Sequence, residues 1–199
     1  MSTDQSIHRV CVFAGSNLGA RPDYVAAARR LGEVLVAEGL DLVYGGASVG
    51  LMGALAAAVL EQGGHVFGVT VSTLRDKEPP NTEIPDLIVV GSMHQRKSQM
   101  ADMSDAFIAL PGGLGALEQF FEIVTWGQLG FHAKPFGMLN VAGYFDELDR
   151  FLDQAVKEGF VAEQHRAMIL LDDDPARLVA RLRAHQPGES EQWIGRTNR

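Results

Sequence analysis

Short apolar runs alternate with helix-period stretches along almost the whole chain, and few architectures accept that alternation. Arg9 to Ala14, Leu40 to Tyr44, His65 to Thr70, Leu87 to Val90, Ala106 to Leu110, Phe136 to Asn140 and Met168 to Leu171 read as buried strands. Between them lie helical patterns. Pro22-Asp23 opens the first, with Tyr24, Ala27, Ala28, Leu31, Val34 and Leu35 at helical spacing, and Gly39 stops it. Further helices are expected over Leu51 to Glu61, Met93 to Met103 with Ser92 as cap, Ala116 to Leu129, Tyr144 to Glu158 and Pro175 to Ala184. Strands apolar on both faces must be covered on both. The pattern therefore predicts an α/β, Rossmann-like fold: a mostly parallel sheet with helices on both faces. Residues 1–185 are expected to form a single domain, and 186–199 a polar, disordered tail. Ser72 to Asp86, with Pro79, Pro80 and Pro85, reads as a long loop of the kind that often serves as a lid.

Composition removes several classes of function. A single cysteine, Cys11, excludes a disulfide framework and a thiolate zinc site, and the six histidines form no H-E-x-x-H pattern. No protein-built metal site is expected. No apolar run approaches the roughly 18 residues that span a bilayer, and the polar start MSTDQSIHR does not read as a signal peptide. With 17 basic against 25 acidic residues the net charge is −8, which argues against a nucleic-acid polymer as partner. A soluble, cytoplasmic protein is the expectation.

Glycine is enriched, 22 of 199 residues against a usual roughly 7%. Its placement is informative. Gly15 and Gly19, then Gly45, Gly46, Gly50 and Gly53, then Gly112, Gly113 and Gly115 occupy three turns, each after a predicted strand and before a helix. In a parallel sheet such turns share the carboxyl edge, where ligands bind. Glycine lets main-chain N–H groups approach an anion, and a helix N-terminus adds unpaired donors. Tight turns alone would also explain any one of the three. Gly15, Ser16, Gly45, Gly46, Gly112, Gly113 and Gly115 are thus candidate phosphate contacts. The first turn, Gly15-Ser-Asn-Leu-Gly19, lacks the dinucleotide G-x-G-x-x-G spacing, and no G-x-x-x-x-G-K-[ST] occurs. A mononucleotide or another small phosphorylated molecule fits better.

Arg96 and Lys97 open the helix after the fourth strand, near the same edge, where an arginine can clamp a phosphate or carboxylate with paired hydrogen bonds. A solvated helical face would give the same pattern. His94 beside them fits a ligand contact or a plain surface position. Glu118 and Glu122 follow the third glycine turn and would also complement the helix dipole. The stretch Phe120 to Phe131 is apolar on nearly all sides, which suits partly the core and partly a subunit interface.

Five stretches carry a family resemblance from about Val10 to Leu182: Cys11-Val-Phe-Ala-Gly-Ser16, Tyr44-Gly-Gly-Ala-Ser-Val-Gly-Leu-Met-Gly53, Met93-His-Gln-Arg-Lys97, Asp105-Ala-Phe-Ile-Ala-Leu-Pro-Gly-Gly113 and Thr125-Trp-Gly-Gln-Leu-Gly130. In these the chain resembles the "Lonely guy" (LOG) family of cytokinin riboside 5′-monophosphate phosphoribohydrolases, often mislabelled as lysine decarboxylases. The resemblance implies cleavage of the N-glycosidic bond of a purine or N6-modified purine nucleoside 5′-monophosphate, such as AMP, to free base and ribose 5-phosphate. It implies no metal and no organic cofactor, a small-molecule nucleotide as partner, and a homodimer. The domain would then be a nucleotide-binding one.

The same resemblance assigns residues. The family signature P-G-G-x-G-T-x-x-E falls on Pro111-Gly-Gly-Leu-Gly-Ala-Leu-Glu-Gln119. It places Gly112, Gly113, Leu114, Gly115, Ala116, Leu117 and Glu118 on substrate and phosphate, together with Arg96, Lys97, Thr125 and the proline-rich loop's Glu78. Arg96 and the signature's last residue form the catalytic pair. Here that residue is Gln119, and the signature threonine is Ala116. Neighbouring helical residues point about 100° apart, so Glu118 does not replace a glutamate at 119. Glu122, one turn on and on the same face, is a candidate for the missing charge. The competing expectation is a protein that binds a nucleotide or molybdenum cofactor on the same fold without hydrolysing it.

Overall fold

The computed structural model describes residues 6–74 and 79–185. The expected tail, 186–199, and Glu78 lie outside the described residues. Seven strands form one sheet: β1 (Arg9–Phe13), β2 (Asp41–Tyr44), β3 (Val66–Val71), β4 (Asp86–Val90), β5 (Ala106–Ala109), β6 (Phe136–Leu139) and β7 (Ile169–Asp172). Their order is β4-β3-β2-β1-β5-β6-β7, and every pairing is parallel. The chain therefore builds outward from β1 to β4, then returns to lay β5 on the other side of β1, with Cys11 opposite Phe107 and Phe13 opposite Ala109. The carboxyl ends of β1 and β5 flank the point where the winding reverses, the place where open parallel sheets bind ligands.

Seven helices, α1 (Pro22–Ala37), α2 (Gly50–Glu61), α3 (Met93–Asp102), α4 (Leu114–Gln128), α5 (Asp146–Lys157), α6 (Glu163–Ala167) and α7 (Pro175–Arg183), occur among the described residues. Side chains alternate across a strand, and they feed two cores. Val10, Val12, Leu42 and Tyr44 pack with Leu31, Leu35, Leu55, Val59 and Leu178 from α1, α2 and α7. Cys11, Phe13, Val43, Phe107 and Ala109 pack on the other face with Met100, Phe120, Ile123 and Leu152 from α3, α4 and α5. This doubled burial is why the strands read as unbroken apolar runs.

Two expectations need correction. Helix α4 begins at Leu114, two residues before Ala116, because Gly113 acts as its N-cap and its carbonyl accepts from the Leu117 amide at 3.1 Å. Helix α5 begins at Asp146. The residues before it, Val141–Gly143, make a 3₁₀ turn, with Ala142 at φ +52° and Gly143 at φ +75° breaking helical geometry ahead of Tyr144. The five-residue α6 had no periodicity long enough to read. Ser92 caps α3 as expected, its Oγ accepting from the Gln95 amide at 3.2 Å. Among the described residues, no helix is long and apolar enough to cross a membrane.

Candidate functional site

A cavity of about 450 Å³ opens at the carboxyl ends of β1 and β5, within the roughly 300–1,000 Å³ usual for small-molecule sites. Its walls are the first turn, Ala14 to Asn17 with Gly19, and the third, Pro111 to Ala116, joined by Arg96, Glu118, Gln119, Tyr24 and Tyr144. The two turns lock together: the Gly15 amide donates to the Pro111 carbonyl at 3.0 Å. A Cβ on Gly112 would lie 2.9 Å from the Gly15 nitrogen and 2.6 Å from the Ala116 Cβ, so only glycine permits this approach. Gly113, Leu114 and Gly115 are exposed at the mouth. The first amides of a helix have no acceptor within it, so the start of α4 presents donors and the positive end of its dipole to the cavity.

Arg96 brings the opposite kind of group, a side chain fixed by main chain. It is 3% exposed yet lines the cavity. Its Nε donates to the Val69 carbonyl at 2.8 Å and its Nη2 to the Gly45 carbonyl at 2.7 Å. Those carbonyls belong to β3 and to the turn after β2, so two neighbouring strands hold the guanidinium.

The second glycine turn has a different task from the one expected. Gly45 and Gly46 are buried and do not line the cavity. A Cβ on Gly45 would fall 2.2 Å from Nη2 of Arg96, and one on Gly50, at φ +64°, 2.3 Å from the Ser16 carbonyl carbon. These glycines make room for the arginine and for the first turn. The proline-rich loop closes over the same turn: the Ser48 amide donates to the Pro79 carbonyl and the Asn81 amide to the Gly46 carbonyl, both at 2.8 Å.

Lys97, Leu117, Glu122 and Thr125 also lie off the cavity wall. Thr125 is exposed and turns its hydroxyl back to the Phe121 carbonyl at 2.7 Å. Lys97 bridges α3 to α4, with Nζ 2.5 Å from Glu118 Oε1 and 2.9 Å from Glu122 Oε2. Partial burial opposes its charge, but the two carboxylates outweigh that and hold the ammonium above its ordinary range. Glu122 is thereby engaged by Lys97, about one helical turn farther from the cavity than Gln119. Glu118 is the carboxylate on the wall. His94 is exposed and outside the lining.

Tyr24 and Tyr144 were not singled out from the sequence. Their rings meet edge-on at 5.7 Å beside the third turn. An aromatic directly after Gly143, in a strand-to-helix connection, was the available signal for Tyr144. Among the described residues, no three His, Cys, Asp or Glu side chains are grouped to hold a metal.

Ala116, at the third position of α4, is nearly buried against Gly112. A threonine there would add a hydroxyl beside the turn amides. Ala116→Thr is expected to tighten AMP by about 1.5–3 kcal/mol with no change for adenosine. Calorimetry with both ligands checks this; equal effects on the two would separate residue 116 from the phosphate.

The fold and cavity define a Rossmann-like α/β protein with a small-molecule-sized pocket at the switch point of its sheet. A family model described as "Possible lysine decarboxylase" matches residues 52–182. The chain is 51% identical over 179 residues to the probable cytokinin riboside 5′-monophosphate phosphoribohydrolase LOGL9 of Oryza sativa subsp. japonica, covering 90% of this chain and 79% of that one. It is 48% identical over 185 residues to cytokinin riboside 5′-monophosphate phosphoribohydrolase LOG7 of Arabidopsis thaliana, covering 93% and 85%. The chain belongs to this LOG family. Its fold also resembles the molybdenum cofactor binding protein of Rippkaea orientalis, with TM-score 0.66 and 21% identity over 90% of this chain and 97% of that one. The molybdenum cofactor carrier protein of Chlamydomonas reinhardtii gives TM-score 0.64 and 18% identity, over 89% and 99%.

Proposed function

We propose that this chain is a phosphoribohydrolase of purine or N6-modified purine nucleoside 5′-monophosphates, working slowly because Gln119 stands at the position of the catalytic carboxylate. The observation that carries the reading is the single cavity wall shared by the start of α4, Arg96 and residue 119. The 5′-phosphate sits on the amides of Gly113 to Ala116, with Ser16 across from them. Breaking the N-glycosidic bond leaves positive charge on the ribose and negative charge on the departing base. Arg96 assists the base. A carboxylate at 119 would steady the ribose cation or activate water; the glutamine amide keeps the shape and carries neither charge nor basicity.

Incubation with AMP or an isopentenyl-type riboside monophosphate is expected to release free base and ribose 5-phosphate in equal amounts, at a low rate. Release of inorganic phosphate with the nucleoside intact would overturn the reading. The neutral Gln119 also favours a second function, retention of a nucleotide without cleavage; tight AMP binding with no adenine formed would establish it. The family setting further supports a cytoplasmic homodimer. Leu129 and Phe131, 43% and 75% exposed after the buried part of α4, suit a subunit contact, and sedimentation at micromolar concentration tests it.

A further inference from the structure

We infer that Tyr144 is a positioning residue for the phosphate turn, acting through the main-chain carbonyl of Gly112. This rests on the reading of that turn as the phosphate site. Tyr144 Oη donates to the Gly112 oxygen at 2.6 Å. The described chain contains no cis peptide, and in a trans peptide the carbonyl and the following N–H point in opposite directions. Fixing the Gly112 oxygen therefore fixes the Gly113 amide.

That constraint matters because the peptide lies between two glycines, with no side chain on either side to resist rotation. A half-turn would put the carbonyl oxygen where the amide N–H had been. An anion resting on the start of α4 would then face a partial negative charge. The tyrosine hydroxyl holds the oxygen and opposes the flip.

The segment bearing Tyr144 is built to hold it there. Asn140 Oδ1 accepts from the Phe145 amide and its Nδ2 donates to Asp146, both at 2.7 Å. Ala142 takes up a left-handed conformation that alanine ordinarily avoids. The Tyr144 ring is braced edge-on by Tyr24 at 5.7 Å and Phe145 at 5.0 Å. Removing only the hydroxyl leaves this packing in place.

Tyr144→Phe in the full chain is the test, read by amide NMR and by binding of ribose 5-phosphate and adenosine. Wild type is expected to show ribose 5-phosphate shifting the amides of Gly113, Gly115 and Ala116. In the variant, affinity for ribose 5-phosphate falls roughly 3- to 10-fold, the scale of one hydrogen bond. The Gly113 response is lost, and adenosine binds as before. Unchanged affinity would overturn the inference. So would weaker affinity with an intact Gly113 response, since the hydroxyl would then touch the ligand directly. If ribose 5-phosphate moves none of these amides in wild type, the phosphate reading of the turn fails instead.

Discussion

Gln119→Glu is expected to raise kcat for nucleoside monophosphate hydrolysis by roughly 10²- to 10⁴-fold, the usual size of a lost or restored acid–base or electrostatic group. The change adds a charge without adding volume. Residue 119 is half-buried on the cavity wall with Arg96, so a carboxylate there acts where water is partly excluded. The rival sources of charge are placed badly: Glu122 is engaged by Lys97, and Glu118 leaves the helix about 100° away. KM for AMP should change far less than kcat, because the proposed phosphate contacts, the α4 amides, are the same in either variant. Steady-state release of adenine checks both numbers. Equal kcat in the two proteins would mean that residue 119 takes no part in the reaction.

Gly45→Ala in the Gln119→Glu background is expected to remove about 100-fold or more of the regained activity while the protein still folds. The added Cβ would sit 2.2 Å from Nη2 of Arg96 and 3.2 Å from Sδ of Met52. Both are ends of flexible side chains, so the backbone can stay in place while the guanidinium moves. Moving it breaks the hydrogen bond to the Gly45 carbonyl, worth about 1.5–3 kcal/mol for a charged donor. Thermal denaturation should register a loss of that order, and Arg96→Ala should give a similar loss of rate. A variant as active as its parent would show that Arg96 tolerates displacement and that its fixed position is not what the reaction uses.

Much of this architecture was legible in the residues, for identifiable reasons. Strands buried on both faces leave continuous apolar runs, so β1, β2, β3 and β5 stood out, and Gly39 and Ser92 marked helix ends by their chemistry. Strand order was not legible, since no single strand states its neighbours; only the sheet reveals that β5 returns beside β1. The glycine clusters located the carboxyl edge but not the division of labour along it. Gly45 and Gly112 look alike in sequence, yet one makes space for a side chain and the other for a neighbouring turn. Thr125 matches the family by position, but its hydroxyl closes on its own helix. Tyr144 was missed because its work is done on a carbonyl oxygen, which leaves no pattern of spacing.

The double anchorage of Arg96 on the Val69 and Gly45 carbonyls has a consequence for how such a site can change over time. Main-chain carbonyls hold the guanidinium, just as main-chain amides at the start of α4 form the proposed phosphate site. Grip is thus written into the path of the chain, whereas hydrolytic power is written into a few replaceable side chains. Substitution at 119 can subtract from the second without disturbing the first. A protein made this way can give up turnover one residue at a time and still recognise its ligand.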